Sequence, residues 1–233
     1  MELPTIPRSV VVSWVLAAVT WVMLIWLWTH HPPAYVWLAI EDNPGENTTA
    51  LLYAVAAVAA FVAGRWARRR GARRRAVWLF LLGLFFFFVA GEEISWGQRL
   101  LRIDVPEVVK EHNTQGELNL HNVALFDKDR ALISQQTVLK GFVLVYGLLL
   151  PWAARLWERV RRLVQWLGLP LVPAIAWSWF IVALLNWQTV AKARPHWAHS
   201  EVCELLIAVG FCLAAVSLAR GGGAGGGQGT VPA

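Results

Sequence analysis

The sequence predicts an all-α protein, a polytopic bundle of six transmembrane helices with both termini cytoplasmic, and three observations predict it. The 233 residues are 57% hydrophobic and only 15% charged, a balance foreign to soluble domains. Six apolar runs approach the roughly 20 residues that a helix needs to cross a hydrocarbon core about 30 Å thick. Arginine is concentrated in two of the segments between them.

The expected spans run from about Val10 to Trp28, Thr48 to Gly64, Ala76 to Ser95, Ile133 to Ala154, Leu169 to Gln188 and Ser200 to Ala219. Pro151, Pro170 and Pro173 fall near helix ends, where a missing N–H is tolerated. The first run follows Arg8 as the apolar run of a secretory leader follows its basic start, but no A-x-A cleavage pattern precedes Thr29, so an uncleaved anchor is expected. Residues 1–220 form one domain, with an outer loop at about 100–135. The glycine-rich residues 221–233 hold too little apolar surface to pack and are expected to be disordered.

Orientation follows from lysine and arginine, because short basic loops are retained in the cytoplasm. Arg65, Arg68, Arg69, Arg70, Arg73, Arg74 and Arg75 follow the second run, and Arg155, Arg159, Arg161 and Arg162 follow the fourth. The loop between the first two runs has no basic residue. The net charge of +6 therefore reads as topology and contact with anionic membrane lipid, with no nucleic-acid partner. Cys203 and Cys212 lie nine residues apart on one expected helix and cannot pair with each other. No phosphate-binding loop or haem motif is present.

All six histidines, and every acidic residue except Glu2 and Glu158, fall on the expected outer side. The first acidic cluster, Glu41, Asp42, Asn43 and Glu46, precedes the second span. Asn-Pro-Gly there is a turn sequence, and Asn47, Thr48 or Thr49 can cap the helix. The same oxygens also suit a hard cation such as Ca²⁺.

The second cluster closes the third span as Gly91-Glu92-Glu93-Ile94-Ser95-Trp96-Gly97-Gln98-Arg99. At about 1.5 Å per residue, Glu92 and Glu93 lie about 25 Å along the span, still inside the membrane boundary. Charge at such depth needs partners, protons or water. Glu92, Ser95, Trp96 and Arg99 have helical spacing and share a stripe, while Glu93 points about 100° away. A Glu92–Arg99 pair accounts for one acid and leaves Glu93 unexplained.

The third cluster is Glu117, Asn119 and His121 in the outer loop, alternating with Leu118 and Leu120. An extended segment would turn its polar groups to one side, over a cavity, or be an interfacial loop anchored by its leucines. The fourth opens the last span: His196 and His199 are three residues apart and face one neighbour, with Glu201 and Glu204 at the depth of Glu92 and Glu93. Histidine with carboxylate suits Zn²⁺ or another divalent metal. A hydrogen-bonded network between helices is the alternative.

The turn Glu41-Asp42 with Glu46, the string Gly91 to Arg99 and the run Glu117-Leu118-Asn119-Leu120-His121-Asn122 resemble a group of uncharacterised prokaryotic membrane proteins. A second resemblance is to the alkaline ceramidase-like superfamily of membrane hydrolases. It implies a Ca²⁺ site at Glu41, Asp42, Asn43 and Glu46, and a zinc amidase site drawing on Ser95, His121, His196 and His199. The sequence departs from that superfamily in expecting six helices rather than seven, in an H-x-x-H spacing of its late histidines, and in Arg99 where a histidine belongs.

The preferred expectation is metal-assisted hydrolysis of a lipid or lipid-linked substrate at an outward polar cavity of the cell membrane. Glu92, Glu93 and Ser95 would be catalytic, His121, His196, His199, Glu201 and Glu204 metal ligands, and Glu117 and Asn119 a cover. An ion- or proton-coupled carrier using the intramembrane glutamates, and a scaffold subunit, are the competing classes.

Overall fold

The structure, a computed structural model, describes residues 6–40, 43–98, 104, 106, 107, 135–191 and 196–223. Among these every regular element is helical. In a hydrocarbon core no water satisfies the backbone, and a helix pairs its N–H and C=O groups within one segment. Five helices are long and apolar enough to cross a membrane: α1 (Arg8–His30), α3 (Pro44–Arg69), α4 (Arg73–Glu93), α5 (Thr137–Leu156) and α8 (Ala198–Gly223). The protein is a multi-pass membrane protein with a helical bundle. The remaining expected span corresponds to α7 (Ala174–Val190), which is apolar but shorter than the other five.

Two short helices, α2 (Pro32–Ala39) and α6 (Glu158–Leu167), occupy segments read from sequence as connecting loops. Proline at the first positions of α2 accounts for its start, since its fixed φ suits the first turn and its missing N–H has no partner there anyway. The same device sets α3 four residues earlier than expected, with Pro44 in its first turn. Asn47 and Thr49 consequently lie inside the helix and do not cap it: the Asn47 amide donates to the Asn43 carbonyl at 3.1 Å and the Thr49 hydroxyl to the Gly45 carbonyl at 2.9 Å. At the other end of the chain, α8 continues through Gly223, three residues into the expected glycine tail.

Helix α3 packs along both α4 and α8, and α7 packs on α8 and α1. Small side chains permit this, because lipid offers no hydrophobic drive between helices and close backbone approach supplies the contact instead. Ala56, Ala57, Ala60 and Ala63 are buried along α3. Phe180 of α7 fills the space left by two glycines on different helices: a Cβ on Gly147 of α5 would meet its ring at 2.8 Å, and one on Gly210 of α8 at 2.3 Å. In α5 the ladder widens to a π-helical stretch over Val143–Leu149, just ahead of Pro151. The missing proline N–H and the bulk of its ring disturb the regular i→i−4 pattern there.

Buried hydroxyls join α1 to α7. The Ser13 hydroxyl donates to the Ile175 carbonyl at 2.6 Å, lies 3.2 Å from the Ser178 hydroxyl, and accepts from the Trp179 indole at 3.1 Å. Polar side chains of this kind act as glue between apolar helices.

Candidate functional site

The start of α3, the end of α4 and the start of α8 meet at one end of the bundle. Each brings acids. Glu93, partly buried on α4, lies close enough to Glu204 and Glu201 of α8, Glu46 of α3 and Glu92 to feel the charge of each, in that order of strength. Tyr53, fully enclosed one face-repeat along α3 from Glu46, stands within the field of Glu93 and Glu204. Five carboxylates from three helices thus share one region. Glu46, read from sequence with Asn43 in a separate cation site, faces the same cluster as Glu93, whereas the Asn43 amide turns away to donate to the Trp37 carbonyl at 2.9 Å.

The segment after Glu93 departs from the expected helical stripe. Helix α4 ends there, and Ser95 (φ 46°), Trp96 (φ 53°) and Gly97 (φ 75°) are successively left-handed. For residues with a Cβ this conformation costs of order 1–3 kcal/mol each and persists only where surroundings enforce it. Here the surroundings are visible. The turn folds the Trp96 indole back over Gly91, where a Cβ would meet it at 2.8 Å, and aims its N–H at a Glu92 carboxylate oxygen 2.6 Å away. Glycine at 91 makes the space, and Ser95 beside it is buried. The expected neighbourhood of Glu92 and Trp96 exists, but a left-handed turn creates it. Arg99, the proposed ion partner of Glu92, lies outside the described residues.

A second polar network adjoins the acids. His199, in the first turn of α8, shares a 3.0 Å hydrogen bond with the Tyr35 hydroxyl of α2 and is 0% exposed. The Trp28 ring of α1 stands edge-on to His199 at 4.4 Å between centroids and to Tyr35 at 5.2 Å. His196, just before α8, lies 5.6 Å from the same Trp28 ring. The two histidines therefore do share a neighbour, an aromatic ring. Asn186 of α7 acts on the same phenol. Burial pushes the Tyr35 phenol well above its ordinary value of 10, the Asn186 amide opposing this and Cys203 adding to it. The Asn186 amide donates to the Cys203 sulfur at 3.5 Å, and Cys203 in turn donates to the Ala183 carbonyl at 3.4 Å. Cys203 feels both Glu204 and Lys140 of α5, so the histidine network and the acidic cluster meet at this thiol. Lys140 itself lies over the Trp187 ring.

Tyr35, Tyr53, Asn186 and Lys140 were not singled out from the sequence, and the last three carried a signal. Asn186 and Lys140 are lone polar groups inside apolar runs, where each demands a reason. Tyr53 sits seven residues after Glu46, on the same helix face. Glu41, Asp42, Glu117, Asn119 and His121 lie outside the described residues. Among the described residues, no group of three or more His, Cys, Asp or Glu side chains is arranged to hold a metal ion. No family model, curated protein or solved structure matches this chain.

Proposed function

We propose that this chain is a cell-membrane carrier of six spans with both termini cytoplasmic, in which the carboxylate cluster takes up a cation or a proton from the outer side. One observation carries this reading: Glu93 lies within the field of Glu204, Glu201, Glu46 and Glu92, drawn from three helices, at the end of membrane-length segments. Their negative potentials add, and next to an apolar phase they are screened far less than in water. Such a cluster attracts positive charge. Glu93 is the residue assigned to bind it, and Glu204 and Glu201 complete the site from α8, with Tyr53 within the field of Glu93 and Glu204.

The test is flux through purified protein in liposomes, read by internal pH-sensitive and cation-sensitive dyes. Glu93→Gln should lower the flux at least about ten-fold, the effect of losing a charged contact worth about 1.5–3 kcal/mol. Wild-type flux equal to that of empty liposomes would sink the carrier assignment.

A second reading, metal-assisted hydrolysis of a lipid or lipid-linked substrate, is favoured by the left-handed turn that holds Ser95 beside Glu92, since enforced strain gathers at active sites. Zn²⁺ or another divalent metal would be held by His121, His196, His199, Glu201 and Glu204. The fit is partial, because the Nδ1 of His199 is engaged by Tyr35. A bound metal would supply Lewis acidity toward the scissile carbonyl. Ca²⁺ at Glu41, Asp42, Asn43 and Glu46 belongs to the same reading. Release of a fluorescent fatty acid from a labelled ceramide, abolished in Ser95→Ala, would favour it over the carrier.

A further inference from the structure

The arginine-bearing end, opposite the carboxylates, is organised by α6. Its polar face holds Glu158, Arg161, Arg162 and Gln165, and its other face Val160, Leu163, Val164 and Leu167. At ten residues it is too short to span, and it docks against the first turns of α4. The Arg74 guanidinium donates to the Trp166 carbonyl at 2.6 Å and lies over the Trp166 ring, while the Trp78 indole donates to the Leu167 carbonyl at 3.1 Å. Gly168 ends the helix with φ 70°, and a Cβ there would meet Arg74 and the Arg75 backbone nitrogen at 2.8 Å. Glycine thus permits α6 to be held close to the arginine run 65–75.

Only part of the apolar face of α6 is used within the protein. Val164 is buried, whereas Leu163 is 54% exposed and Trp166 63%, with Trp157 beside the helix at 62%. The run 65–75 that α6 docks on through Arg74 carries seven arginines and residues 155–162 carry four, against one acid, Glu158. That acid pairs with both Arg161 and Arg162. A charged face, an apolar face left open at Leu163 and exposed indoles describe a helix that lies in a membrane interface.

We propose that α6 and the arginine run it docks on form a binding surface for anionic phospholipid. Leu163, Trp157 and Trp166 enter the acyl boundary while Arg159, Arg161 and Arg162 meet the phosphates. Charge complementarity selects this occupant: eleven arginines to one glutamate is a poor match for a zwitterionic leaflet and a good one for an anionic leaflet. The inference is independent of the carrier reading, since it uses no residue of the carboxylate cluster.

The experiment is native mass spectrometry of the full chain released from nanodiscs of equal parts phosphatidylglycerol and phosphatidylcholine. Phosphatidylglycerol should be enriched on the protein over its share of the disc. The combined Arg159→Gln, Arg161→Gln, Arg162→Gln variant should lower that enrichment, at about five-fold for each arginine that reaches the surface. Glu158→Gln, which releases Arg161 and Arg162 from their partner, should raise it, a gain that misfolding cannot produce. Lipid in the disc's own ratio, a triple variant with unchanged enrichment, or a fall in Glu158→Gln would each overturn the proposal. Displacement of the lipid by excess inorganic phosphate would also overturn it, in favour of a free-anion site.

Discussion

The two ends of the bundle use polar residues in opposite ways. At one end Glu46, Glu93, Glu201 and Glu204 converge from three helices, and His199 with Tyr35 and Asn186 with Cys203 pair beside them out of contact with solvent. At the other, arginines are exposed, and among the described residues they meet a carbonyl, an indole ring or a single glutamate. Polar groups in the first setting have exchanged water for one another, so removing one leaves its partner stranded. Those in the second keep their water and lose little. One end should therefore depend on its polar groups for stability and the other should not, which substitutions can decide.

The largest effect is expected from His199→Leu. The substitution keeps an apolar body against Trp28 but strands the Tyr35 hydroxyl in a buried site, at a cost of about 1–3 kcal/mol. Thermal unfolding in detergent should show a midpoint lower by several degrees. An unchanged midpoint would mean that Tyr35 has another partner of equal worth, and the contrast between the ends would lose its best support.

Tyr35→Phe tests the same bond more gently, because the ring stays and only the hydroxyl goes. About 1 kcal/mol should be lost near neutral pH. The effect shrinks in alkali. The folded-state phenol is raised above its ordinary 10, so the native state holds its proton while the unfolded chain, as pH climbs past 10, gives its proton up. Stability contributed by Tyr35 is complete below pH 10 and declines above it. The phenylalanine variant lacks this decline, and the stability difference between the two proteins should narrow with rising pH.

The contrast also explains what the sequence disclosed. Apolar length and arginine position are local properties, and five of the six expected spans appear as helices of membrane length within a few residues of their expected bounds. The convergence of acids is not local. Glu46 read as part of a turn because its partner helices lie far away in the chain, and only the packing of α3 on α4 and α8 brings it to Glu93. The left-handed Ser95–Gly97 turn escaped for another reason. Ser and Trp give no warning of positive φ, and the stripe drawn through Glu92, Ser95 and Trp96 assumed that the helix continued. Gly91 and Gly97 were the available clue, one making room for the indole and the other closing the turn. The short helices were hidden by length: α2 and α6 are too brief for the hydrophobic period to stand out from loop composition.

The smallest effect belongs to the arginine end. Arg161→Gln removes one member of an exposed pair with Glu158, and Arg162 remains within 3.5 Å of the same carboxylate. Such a pair at helical spacing is worth about 0.5 kcal/mol or less, and added salt should erase even that. The midpoint in neutral detergent should move by less than about one degree, beneath the shift expected for Tyr35→Phe. A drop as large as that of His199→Leu would show that α6 is held by its ion pairs rather than by the Arg74 and Trp78 bonds to its last carbonyls. The two ends would then differ in exposure but not in what their charges do for the fold.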